Sequence, residues 1–184
     1  TSDLLRQAKQ LAADPSNAMY ANNMSKAFGA VTSNIRDFIK AVKEGNVGEA
    51  MINQAMESVL KTLSALDQSS LYAAAGQLEP DSNSTAQGAK GAGDAVMNVA
   101  KQMAGAAMNL VKSRGGTPEQ TGGAAQALSR VVHDLAAGTT ALASLGADQE
   151  RQQQTLQAAR GVGEATEALL RLTKDQADQQ QLSG

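Results

Sequence analysis

His133 is the only histidine in the chain of 184 residues, and there is no cysteine. Nucleophilic catalysis and metal binding both draw on imidazole or thiolate, so little remains for either. His133 stands between Val132 and Asp134 with no second histidine near it, which reads as a packing or surface residue. Gly88-Ala89-Lys90-Gly91-Ala92-Gly93 has the glycine content of a phosphate-binding loop. It lacks the preceding strand and the Lys-Ser/Thr ending that would direct phosphates and magnesium, and reads as the loose first turn of a helix. Glu164 and Glu167 share a helix face but no histidine accompanies them. Lys40, Lys43 and Glu44 cluster where a helix ends, and cations there suit the dipole. No catalytic, cofactor-binding or metal-binding residues are expected, and the chain reads as non-enzymatic.

Composition points the same way. Alanine supplies 35 residues, aromatics only 2%, and the formal net charge is −2. Such usage favours helix throughout. A nucleic-acid module should carry a strongly basic face, which this balance does not provide. No apolar run approaches the roughly 18 residues that a membrane span needs. Without cysteine a soluble, reducing compartment is the expectation.

The elements follow from the stop signals. Breaks fall at Asp14-Pro15-Ser16-Asn17, Gly45-Asn46, Gln77 to Ser84, Gly115 to Gln120 and Leu145 to Asp148. Thr117 can cap a helix, Pro118 suits its first position and Gln120 completes a capping box, while Asp148 can cap the next helix. Helices are predicted at about 17–45, 47–77, 84–114, 118–145 and 148–181, each roughly 42–48 Å long. Rods of that length joined by short turns bury their stripes side by side. The expected fold is all-α, an antiparallel five-helix bundle over 15–184, preceded by a short helical segment over 1–14. Thr32, Thr62, Thr139 and Thr166 lie on or beside the stripes, and each buried hydroxyl needs a partner to avoid a cost of about 1–3 kcal/mol. The expected core is therefore one that opens more readily than a leucine-rich one.

Two stripes stand out by their register. Met24, Ala27, Phe28, Val31, Ile35, Phe38, Ile39 and Val42 form the first; Val96, Val99, Ala100, Met103, Ala107, Leu110 and Val111 form the second. As core faces they account for themselves, with Phe28, Val31, Ile35, Phe38 and Ile39 as the expected buried anchors. A helix released from the bundle could also lay such a stripe in a partner's groove.

Several phrases resemble the talin rod family. Leu11-Ala12-Ala13-Asp14-Pro15 resembles the junction between its bundles, and Ser33-Asn34-Ile35-Arg36-Asp37-Phe38-Ile39 its first-helix run. Leu66-Asp67-Gln68-Ser69-Ser70-Leu71 with Gly76-Gln77-Leu78-Glu79-Pro80 is similar to the end of its second helix. Pro118-Glu119-Gln120 and Ala143-Ser144-Leu145-Gly146-Ala147 match later turns. The order and spacing of these phrases resemble the family's central and late five-helix bundles. The resemblance implies a cytoplasmic scaffold at cell-matrix adhesions that links integrins to actin. Its implied partners are vinculin, the FERM head domain of the same protein and neighbouring rod bundles. Residue matching places a vinculin-type helix best at Met24 to Val42, with Val96 to Val111 second. The alternative reading is an amphipathic protein of lipid or polymer surfaces, although the polar faces lack the Lys/Arg enrichment expected at anionic membranes.

Overall fold

A computed structural model describes residues 18–80, 82–146 and 148–183, all helix and turn among the described residues. The four helices there are α1 (Ala18–Ala74), α2 (Ser82–Ser113), α3 (Pro118–Ser144) and α4 (Gln149–Ser183). The all-α bundle expected from the sequence is what forms. The segment expected over 1–14 lies outside the described residues.

One boundary differs from expectation. α1 is a single helix of 57 residues, and the chain does not break at Gly45-Asn46. A helical glycine costs only about 1 kcal/mol relative to alanine, and no proline follows to forbid the next turn. The chain nevertheless divides there into two compact units, 1–44 and 45–184.

The remaining breaks form as their chemistry dictates. Gly76 takes φ +67°, Gly76 N–H reaches Ala73 O at 3.0 Å, and Gln77 N–H reaches Tyr72 O at 2.8 Å. This pair of bonds satisfies the orphan carbonyls that end α1. Gly88, also at φ +67°, kinks the start of α2 within the glycine-rich stretch. Thr117 caps α3, with Gln120 N–H donating to Thr117 Oγ1 at 3.2 Å and Thr117 N–H donating to Gln120 Oε1 at 3.1 Å. Asp148 Oδ1 accepts from Glu150 N–H at 3.0 Å at the head of α4.

Within 45–184 the helices pack in a definite register. α4 runs antiparallel to α1: Glu49 lies near Lys174, Leu63 touches Gly163, Asp67 pairs with Arg160, and Gln149 Nε2 donates to Ala74 O at 2.5 Å. α3 runs parallel to α1: Gly122 abuts Gly48, Gln126 Nε2 donates to Gln54 Oε1 at 2.8 Å, and His133 faces Thr62. Two apolar clusters fill the interior. Ile52, Ala55, Val59, Leu63, Leu110, Ala125, Leu128, Val132 and Leu170 form the first. Leu66, Ala73, Ala136, Ala143, Leu156 and Ala159 form the second, with Leu78 packed against it.

The threonines expected on the stripes of this unit are buried and each is satisfied within its own helix. Thr62 donates to Ser58 O at 3.0 Å, Thr139 to Leu135 O at 2.6 Å, and Thr166 to Val162 O at 2.9 Å. Thr173, 1% exposed, donates to Leu169 O in the same way. A hydroxyl bonded four residues back escapes the desolvation cost within its own helix. An interior rich in alanine and threonine contributes less burial per residue than leucine would.

Candidate functional site

The first candidate stripe occupies one face of α1, in the 1–44 unit. Ala27 and Val31 are half-buried, while Ile35 is 54% and Ile39 is 48% exposed. The side chains of Met24, Phe28, Phe38 and Val42 lie outside the described residues. Exposure of Ile35 and Ile39 corrects the expectation that both are buried anchors. The described part of this unit is one helical segment, and a single helix cannot bury its own stripe.

The second stripe, on α2, divides. Leu110 is fully buried in the first core cluster, and Met103, Ala106 and Ala107 pack against that cluster. Val96 is half-buried, with Cγ2 3.3 Å from where a Cβ on Gly138 of α3 would stand. Val99 is also half-buried. Ala100 and Val111, expected on the same face, are exposed. At about 100° per residue they lie roughly 80–100° around the helix from Leu110, past the edge of the buried sector. The two stripes therefore belong to different compact units, and among the described side chains Leu110 of the second is the fully buried one.

The residues first considered for chemistry have structural roles. His133 Nδ1 lies 3.5 Å from Thr62 Oγ1, bridging α3 and α1 from an exposed position. Glu164 accepts from Arg160 Nη1 and Glu167 from Arg171 Nη2, both at 2.5 Å. Arg160 also donates through Nε to Asp67 Oδ1 at 2.6 Å, and these two carboxylates raise its pKa further. The Lys61 ammonium, 2.9 Å from Glu57, holds that carboxyl below its ordinary range.

A cleft of 510 Å³ runs between α1 and α3, lined by Ser58, Thr62, Ala65, His133, Ala137 and Ser144 among others. Its walls mix small and hydroxylated side chains with the titratable groups of Lys61, Glu79 and His133. A smaller cleft of 190 Å³ lies at the end of the bundle near Gly48, Arg114, Pro118 and Thr173. Arg114 Nη2 donates to Thr173 Oγ1 there at 3.3 Å. Sequence reasoning missed both clefts. Each lies between residues dozens of positions apart, for which the sequence holds no local signal.

Comparison with known proteins adds an independent finding. The family described as talin 1-like, rod segment domain, matches residues 48–182. Talin-A of Dictyostelium discoideum is 30% identical over 183 residues, covering 95% of this chain and 7% of that protein. Talin-B of the same organism is 30% identical over 169 residues, covering 91% of this chain and 6% of the relative. Talin of Oscarella pearsei is 35% identical over 88 residues, covering 48% of this chain and 4% of its own length. The chain thus spans less than a tenth of the curated relatives it matches.

Proposed function

The chain belongs to the talin 1-like rod segment domain family, and from that premise we propose that it is a non-enzymatic segment of a cytoskeletal adhesion scaffold. It acts through protein–protein contacts in the cytoplasm, at cell-matrix adhesions, within a longer protein that links integrins to actin. Residues 15–184 form the working rod segment, and neighbouring rod bundles are its constant partners. Vinculin is the first exchangeable partner, engaged by the Met24 to Val42 face and, after opening, by the Val96 to Val111 face. The FERM head domain of the same protein is the second, held against the intact bundle as an autoinhibitory contact.

The observation that carries this reading is the contrast between the two stripes. Ile35 and Ile39 are about half exposed on a helical face, whereas Leu110 is sealed in the core. A partner that takes an amphipathic helix by its apolar face meets the first stripe directly, and the second only when α2 leaves the bundle. Loss of Leu110 burial on opening costs roughly 2–3 kcal/mol, so tension or heat must supply it.

Titration of a vinculin head domain against the intact protein, a peptide spanning 20–44 and a peptide spanning 92–113 tests the proposal. Both peptides are expected to bind. The intact protein should bind through the first face alone, with Ile35→Ala and Ile39→Ala weakening that binding. Failure of both peptides to bind removes vinculin from the reading and leaves the folded outer surface as the working part.

A further inference from the structure

α2 turns an uncommon combination of side chains outward. Met97, Met108 and Val111 are 59%, 57% and 50% exposed. Lys90, Lys101 and Lys112 are exposed too, and follow one another at intervals of eleven residues. Eleven residues make three turns plus about 20°, so the three ammonium groups fall along one line, roughly 16 Å apart. Met97 and Met108, again eleven apart, lie within about 40° of that line. Ala104 and Val111 flank it on one side, and Asp94, the sole acidic residue of α2, is exposed on the same line between Lys90 and Lys101.

These lysines are also unspent. Elsewhere in the 45–184 unit Lys61 pairs with Glu57, Arg151 with Asp148, Arg160 with Asp67 and Glu164, Arg171 with Glu167, and Lys174 with Glu49. Lys90, Lys101 and Lys112 join no ion pair among the described residues. Three ammonium groups less the Asp94 carboxylate leave this face at +2, whereas the whole chain carries −2.

We propose that the outer face of α2 docks on an anionic lipid bilayer. Lys90, Lys101 and Lys112 meet the headgroup phosphates and carboxylates while Met97, Met108 and Val111 enter the layer beneath. Long cationic side chains beside flexible apolar ones are what an interfacial helix uses, because the stems lie along apolar material and the charges stay in the polar layer. Charge selects the occupant: three aligned cations answer a negatively charged surface. The inference stands apart from the vinculin reading and survives its failure.

The test is flotation of the 184-residue protein with vesicles of phosphatidylcholine containing about 30 mol% phosphatidylserine, against phosphatidylcholine alone. The parent should float with the anionic vesicles and not with the neutral ones. Each lysine near such a surface contributes about fivefold, so joint Lys90→Gln, Lys101→Gln and Lys112→Gln should cut partition roughly a hundredfold. Met97→Ser with Met108→Ser should weaken it further at high salt, where the charge contribution is screened. All five positions are exposed, so thermal melts of both variants should match the parent. Absence of phosphatidylserine-dependent flotation, or undiminished flotation of the triple variant, overturns the proposal. Protection of Lys101 from amine acetylation by an acidic amphipathic peptide, with none by vesicles, would assign the face to a protein ligand and overturn it as well.

Discussion

Gly122 of α3 faces Gly48 of α1 so closely that a methyl group on Gly122 would stand 2.8 Å from the Gly48 carbonyl oxygen. A methyl on Gly48 would in turn run into the backbone of Pro118. The start of α3 meets the middle of α1, in parallel, because neither helix carries a side chain there. Gly48→Ala and Gly122→Ala should each destabilise the 45–184 unit by about 1–3 kcal/mol through overpacking. Gly105→Ala, on α2 with nothing within 4 Å, should stabilise by about 0.5–1 kcal/mol through helix propensity alone. Urea denaturation of the three variants checks the difference in sign.

Leu128 and Leu170 are fully buried in the first core cluster, whereas Leu172, two residues along α4, is 59% exposed. Truncation to alanine should cost about 2–5 kcal/mol at either buried position and within roughly 0.5 kcal/mol at Leu172. Equal losses at Leu170 and Leu172, measured by thermal unfolding, would contradict the assigned face of α4.

Thr139 and Thr166 spend their hydroxyls on carbonyls of their own helices. Those carbonyls keep their backbone partners if valine is substituted, so the change removes a buried polar atom at nearly constant size. Thr139→Val with Thr166→Val should leave stability unchanged or raise it by up to about 1 kcal/mol. The same variant should offer its second stripe more slowly to a vinculin head on warming. A loss beyond about 2 kcal/mol would show that the hydroxyls hold more than their own turn.

Arg160 joins α4 to α1 through Asp67 at 2.6 Å, but its side chain is 43% exposed and that of Asp67 is 51% exposed. Solvent screening limits such a pair, and a double-mutant cycle with Arg160→Ala and Asp67→Ala should return only a small coupling that falls as salt rises.

Glu57, bonded to Lys61 one turn on, has its carboxyl pKa lowered in the folded state, the hydrogen bond to Lys61 being the larger cause and its charge the smaller. A depressed folded pKa means the contribution is present above the unfolded value and is lost as pH falls through the folded one. Carboxyl-carbon NMR should therefore show Glu57 titrating below an ordinary glutamate, and Lys61→Ala should return it to the ordinary range.

Much of this architecture is legible in single residues and their neighbours. The capping box of Thr117 and Gln120, the Asp148 cap and the break after Gly76 each depend on chemistry within a few positions, so local sequence suffices for them. The stripe of Met103, Ala107 and Leu110 is legible for the same reason, since helical periodicity is local. Gly45-Asn46 is the counterexample. A glycine costs a helix only about as much as a single packing contact can restore, and the outcome is a helix that runs through.

Helix, its caps and the spacing of apolar residues follow from neighbours along the chain. Which apolar residues are core was decided by tertiary structure, because burial needs a neighbour from a distant part of the chain. Leu110 meets the cluster formed with Leu128 and Leu170, whereas Val111, equally apolar and one residue on, is turned 100° away by helix geometry. Ile35 and Ile39 have the spacing of a core stripe and remain exposed, since periodicity specifies a face and not what covers it. The parallel contact of Gly48 with Gly122 is equally invisible in sequence: the missing side chains matter only once two helices cross there.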